Sequence, residues 1–186
     1  LEAGGPRPAQ MAGHSLGEYT ALVCANAIDF GDAVRVVKRR SELMQAAVPV
    51  GTGAMAAIIG LDDDAVLAVC EEATGIGVAE AVNFNSPGQV VIAGHKDAID
   101  HAAQRAEEVG ARRSIILPVS VPSHSSLMVP AGKALAETLA TAEFRTPSVS
   151  VEGAGGPAVP PKQPMSESRM TVRMPPGLTS TRGRRR

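Results

Sequence analysis

The chain has 186 residues, 44% of them hydrophobic and 20% charged, with a formal net charge of -1. That length suits one ordinary domain with a buried core, or one domain carrying a small insert, and the balance is that of a soluble globular protein. The near-zero charge excludes a general pull toward nucleic acid or anionic lipid, and an aromatic content of 2% requires an aliphatic core.

In chain order, Gln10-Met11-Ala12-Gly13 reads as a short buried strand entering a tight turn at His14-Ser15. The apolar residues Leu16, Ala21, Leu22, Cys24 and Ala25 predict a one-faced helix over about 16–27. A second helix is predicted over about 32–48, with Asp32 near its start and Pro49 and Gly51 beyond its end. Next come a strand over 54–59 and a helix over 62–73, whose first turn carries Asp62, Asp63 and Asp64 at its positive end. Strands over 78–84 and 89–93 are joined by the turn Asn85-Ser86-Pro87-Gly88. A helix over 96–109 and a strand over 114–119 complete the order β-α-β-β-α-β, the split arrangement of a ferredoxin-like module. A further helix follows over about 127–142. From Glu152 the composition turns to Pro, Gly, Ser, Met and Arg without apolar periodicity, which predicts a disordered tail over 152–186.

The two cysteines, Cys24 and Cys70, stand in separate apolar stretches with no CxxC spacing, as buried thiols of a reducing compartment do. The four histidines, His14, His95, His101 and His124, are scattered, so no metal site is expected. No apolar run suffices to span a bilayer. The first residues have neither a charged start followed by an apolar stretch nor a Met, so the chain reads as an internal piece of a longer protein.

Gly13-His14-Ser15-Leu16-Gly17 matches G-x-S-x-G between a strand and a helix. Flanking glycines let the backbone turn sharply and keep bulk away, so that the serine hydroxyl projects into open space. The backbone N–H of Leu16, at the start of the helix, can bond an oxyanion formed there. The plain alternative is a helix N-cap at Ser15. A nucleophilic serine needs a base. His95 and His101 read as solvated, and His14 as a packing residue of the turn. His124, at a strand end before the next helix, is the best candidate, although spacing alone fits a solvated loop histidine too.

Gly13-His14-Ser15-Leu16-Gly17-Glu18-Tyr19 resembles the nucleophile segment of the malonyl-CoA:acyl carrier protein transacylases. Four further stretches agree in the family's order: Arg40 leading to Met44-Gln45, Gly53-Ala54-Met55-Ala56-Ala57, Ala81-Val82-Asn83-Phe84-Asn85-Ser86-Pro87-Gly88-Gln89, and Val121-Pro122-Ser123-His124 leading to Leu127-Met128. The resemblance implies that Ser15 is acylated, that His124 is the general base, and that Arg40 grips the malonyl carboxylate. It also implies that Asn83 and Asn85 border the cleft, while a turn role explains Asn85 equally well. The implied substrates are malonyl-CoA and the pantetheine thiol of an acyl carrier protein, in fatty acid biosynthesis. No cofactor, nucleic acid or membrane is implied, and the expected form is a cytoplasmic monomer.

The implied fold is an α/β acyltransferase core, residues 1–50 and 114–151, with the ferredoxin-like module inserted over 51–113. Against the family, the chain lacks the opening strand and Gly-Gln loop that supply a second oxyanion donor, and 152–186 resembles none of the family's closing segment. The arginine- and proline-rich texture there suggests a reading-frame change, with a basic nucleic-acid-binding tail as the other possibility. A serine esterase or thioesterase and an inactive fragment of the transacylase are the competing functional readings.

Overall fold

The computed structural model describes residues 8–153. In chain order the elements are β1 (Gln10–Gly13), α1 (Leu16–Cys24), α2 (Phe30–Ala47), β2 (Gly53–Ile59), α3 (Asp63–Glu72), β3 (Ala79–Ser86), β4 (Gln89–His95), α4 (Lys96–Glu108), β5 (Arg113–Ile116), α5 (Val129–Ala140) and β6 (Ser150–Gly153). Single 3-10 turns at Ala73–Gly75 and Ser126–Met128 follow α3 and precede α5. The result is a mixed α/β protein with one parallel and one antiparallel sheet. Among the described residues, no helix is long and apolar enough to cross a membrane. These residues form two compact units, one with residues up to Arg39 and from Thr138 onward, the other running from Arg40 to Glu137.

In the first unit β1 pairs in parallel with β6, from Gln10 opposite Ser150 to Gly13 opposite Gly153. Tyr19, Ala21 and Leu22 of α1 are buried, as are Ala25, Ala27, Ile28, Ala33 and Val36. Helix α1 stops at Cys24 rather than near Ala27 because Asn26 takes a left-handed conformation, φ 57°. The Ala27 N–H then bonds the Leu22 carbonyl at 2.8 Å and the Asn26 N–H that of Val23 at 3.0 Å, a Schellman ending in which Asn serves where Gly is usual. Later in the chain, the N–H groups of Arg145 and Ser148 donate to the carbonyls of Ala27 and Ala25 at 2.8 and 2.7 Å, pinning the strand approach to β6. Of the tail expected over 152–186, Glu152 and Gly153 stand instead in β6 opposite Ala12 and Gly13, and residues 154–186 lie outside the described part.

The second unit is built on a four-stranded antiparallel sheet in the order β3-β4-β2-β5. One face carries Ala54, Ala56 and Ile58 of β2 with Val90 and Ile92 of β4, packed against Val66, Val69 and Cys70 of α3 and Ala98, Ile99, Ala102, Ala103 and Ala106 of α4. The alanines of α4 recur at helical spacing, which is why an aliphatic sequence with few large side chains still closes a core there. Asp62 caps α3 by accepting the Ala65 N–H at 2.8 Å, a bond worth about 1 kcal/mol. The opposite face carries Met55, Val91 and Ala93 with Val82 and Leu117.

Further elements differ from expectation at their ends. Strand β3 runs on to Ser86, paired with Gln89, so Asn85 lies in a strand and only Pro87-Gly88 form the turn. Strand β5 ends at Ile116 rather than Val119. Pro118 has no N–H to give, and the Val119 N–H turns back to the Leu117 carbonyl at 2.8 Å. The helix expected over 127–142 begins as the 3-10 turn Ser126–Met128 and closes at Ala140.

Candidate functional site

Ser15 occupies the corner between β1 and α1 with φ 55° and ψ -109°. A non-glycine residue held at positive φ stores about 1–3 kcal/mol of strain, and such strain gathers at functional positions. The corner is closed by backbone bonds from the Gly17 N–H to the His14 carbonyl at 2.9 Å and from the Glu18 N–H to the Ser15 carbonyl at 3.3 Å. Glu18 and Tyr19 turn inward and are buried, whereas the Leu16 side chain is exposed. The Leu16 N–H is the first donor of α1, at the helix end where the macrodipole favours negative charge. Gly13 has a steric reason: a Cβ there would stand 2.3 Å from the Gly17 carbonyl carbon and oxygen, and backbone cannot yield as a side chain does. Gly13→Ala is expected to lower stability by about 3 kcal/mol in urea unfolding. Gly17→Ala, with nothing near its added methyl, should stay within about 1 kcal/mol of wild type.

His124 belongs to the second unit, half-buried on the loop between β5 and the 3-10 turn, with φ 68°. Its flanks are fixed. Pro122 is fully buried and lies so close to Gly53 that a Cβ on that glycine would meet the proline Cδ at 2.4 Å. Ser125 is buried, and its Oγ donates to the Pro122 carbonyl at 2.7 Å. Further backbone bonds run from the Ser123 N–H to Val121 at 2.9 Å and from the Met128 N–H to Ser125 at 2.9 Å.

Arg40, half-buried on α2, is in the same unit. It stands one turn before Met44 on the same helix face, and Met44 packs with Val48, Met128 and Ala131 just beyond the His124 loop. That packing joins the end of α2 to the segment that follows His124. Asn83 and Asn85 both lie on β3, half-buried and exposed respectively, among register shifts between Ala81 and Asn83 and between Phe84 and Ser86. His95 and His101 are exposed, and the His95 Nδ1 accepts the Val78 N–H at 3.0 Å.

Glu80 escaped the sequence reading. This half-buried β3 residue accepts the Ser126 N–H at 2.6 Å across 46 positions. Its only signal was a carboxylate inside the apolar run Val78-Ala79-Glu80-Ala81-Val82. Among the described residues, no group of three or more His, Cys, Asp or Glu is arranged to hold a metal ion. The two thiols are free, Cys24 exposed rather than buried as expected, Cys70 buried. Burial first, and the Glu80 charge second, push the Cys70 thiol from 9.0 up to about 12. The folded state therefore holds this proton where the unfolded chain releases it. The resulting stabilisation is intact below pH 9.0 and fades as pH climbs toward 12. Urea midpoints measured across that window should fall less steeply in Cys70→Ala than in wild type.

The acyl transferase domain model matches residues 1–154. The chain belongs to the acyl transferase domain family. Among curated acyl transferases, the malonyl CoA-acyl carrier protein transacylase of Escherichia coli (strain K12) is 60% identical over 150 residues, covering 81% of this chain and 48% of that protein. The transacylase of Bacillus subtilis (strain 168) is 47% identical over 148 residues, 79% of this chain and 47% of its own. In structure, the acyl-carrier-protein S-malonyltransferase of Burkholderia pseudomallei 1710b superposes with a TM-score of 0.77 at 59% identity, over 81% of this chain and 49% of that one. A malonyl-transacylase solved with a type II PKS acyl-carrier protein gives 0.78 at 53% identity, over 81% and 48%. This acyl transferase chain thus spans about half the length of the curated relatives it matches.

Proposed function

We propose that this acyl transferase moves a malonyl group from malonyl-CoA to the pantetheine thiol of an acyl carrier protein in fatty acid biosynthesis, with Ser15 as nucleophile and His124 as base. The observation that carries the reading is the strained Ser15 corner between β1 and α1, with the helix start behind it. Ser15 Oγ attacks the thioester carbonyl as its proton passes to the His124 imidazole. The tetrahedral oxyanion is held by the Leu16 N–H. Collapse breaks the C–S bond, and coenzyme A leaves as a thiol carrying the proton from the imidazolium. The carrier thiol then gives its proton to His124 and attacks the acyl-serine, and the Ser15 oxygen leaves with that proton.

Arg40 binds the free malonyl carboxylate, since a planar guanidinium matches a carboxylate through two parallel hydrogen bonds. Asn83 and Asn85 border the substrate cleft in this reading, supported by their placement on the irregular strand β3. Residues 51–113 serve as a ferredoxin-like module of the enzyme, with 1–50 and 114–151 as the catalytic part. What supports the module, though not its exact bounds, is the strand order β3-β4-β2-β5, which runs on through Ile116, with α3 and α4 packed on one face. The carrier partner is supported by the related transacylase solved with one. The reading takes the protein as a monomer of the cytoplasm, a reducing compartment that suits two free thiols.

The test is a transfer assay with labelled malonyl-CoA and a phosphopantetheinyl carrier protein, run beside hydrolysis of a neutral ester. Label reaching the carrier thiol is the expected result. Faster ester hydrolysis than transfer would favour a serine esterase instead.

A further inference from the structure

The histidine loop is held at its far end by a carboxylate from another element. Ser125 stands at the N-cap position of the 3-10 turn Ser126–Met128, which runs straight into α5. A capping serine normally accepts an N–H of the first turn. Here its hydroxyl is committed elsewhere, donating to the Pro122 carbonyl at 2.7 Å, and caps nothing. The first N–H of the turn, that of Ser126, instead donates to Glu80 Oε2 on β3 at 2.6 Å. Glu80 sits opposite Ala93 in the β3–β4 ladder, and Ala93 lies in the apolar cluster with Met55, Val82 and Leu117. The carboxylate thus rises from the rigid sheet and grips the chain two residues past His124. On the near side, Pro122 is wedged against Gly53 of β2. The left-handed residue His124 is therefore clamped between two anchors on one sheet.

We propose that Glu80 is a positioning residue, a carboxylate cap supplied by the sheet that fixes the loop conformation in which His124 serves as base. The role in catalysis rests on the acyltransfer reading above; the clamp itself does not. An acceptor in this place satisfies an otherwise unbonded helix-start donor and also holds negative charge at the positive end of the turn and α5. Losing a hydrogen bond to a charged group loosens the bonded segment by about ten- to a hundredfold in its opening equilibrium. A looser loop spends less time with the imidazole in place, so turnover falls while substrate binding does not.

The experiment compares full chains carrying wild-type Glu80, Glu80→Ala and Glu80→Gln. Three quantities are read: amide exchange at Ser126, the NMR signals of the His124 ring, and kcat and KM for malonyl transfer. Glu80→Ala should speed Ser126 exchange about tenfold or more, shift the His124 ring signals while leaving those of His101 on α4 in place, and lower kcat with KM for malonyl-CoA unchanged. Glu80→Gln, whose carboxamide oxygen accepts the same N–H, should recover most of all three. Unchanged Ser126 exchange in Glu80→Ala overturns the clamp. Faster exchange with wild-type kcat overturns the positioning role, as does a loss of kcat that Glu80→Gln fails to recover. If wild type transfers no malonyl at all, the acyltransfer reading fails, and the exchange and ring signals still decide the clamp.

Discussion

Alanine at Ser15 is expected to lower malonyl transfer on the order of a millionfold, and alanine at His124 by a comparable amount. In the proposed mechanism the two side chains act in one step. A serine hydroxyl without a base is a weak nucleophile at neutral pH, and a base without a nucleophile has no proton to take. The double variant should therefore be no slower than either single one. The measurement is steady-state transfer to the carrier thiol for wild type, both single variants and the pair. Losses that add on a logarithmic scale would mean independent roles and would break the pairing of the corner with the loop.

Arg40 should govern which acyl group is accepted. Removing one partner of a desolvated, hydrogen-bonded charge pair costs about 2–5 kcal/mol, so Arg40→Ala should reduce kcat/KM for malonyl-CoA by roughly 30- to 5,000-fold. Acetyl-CoA has no carboxylate for a guanidinium to bind, so its transfer should hold steady or rise. The ratio of the two kcat/KM values is the quantity to measure. An equal loss for both substrates would assign Arg40 to folding rather than specificity. The packing of α2 is consistent with a role at the loop: Met44, one turn on, meets Met128 in a buried cluster.

Much of this was legible in the sequence because local chemistry and tertiary structure agree. The acidic start of α3, the alanine face of α4 and the turn at Ser15 each write themselves into a few adjacent residues. Where the reading failed, a distant partner decided the outcome. Asn85 and Ser86 have turn chemistry, yet the pairing of Ser86 with Gln89 draws them into β3. Asn26 sits in an apolar, alanine-rich run that looks helical, and only its left-handed φ ends α1. Glu152 and Gly153 begin a stretch of tail-like composition, but their partners Ala12 and Gly13 lie at the other end of the chain.

The site was legible in a similarly uneven way. Ser15 announces itself through the glycines at 13 and 17, and the Gly13 position has a steric cause visible in the fold. His124 carries no such flanking signature beyond Pro122. Its supports come from Gly53 on β2 and Glu80 on β3, contacts that no local pattern encodes.

Everything rests on Ser15 carrying the acyl group. The direct test is peptide mapping by mass spectrometry after brief exposure of the protein to malonyl-CoA and acid quenching. The expected product is a malonyl ester on the peptide containing Ser15, absent when Ser15 is alanine. A malonyl adduct on any other residue, or one that persists in Ser15→Ala, would contradict it.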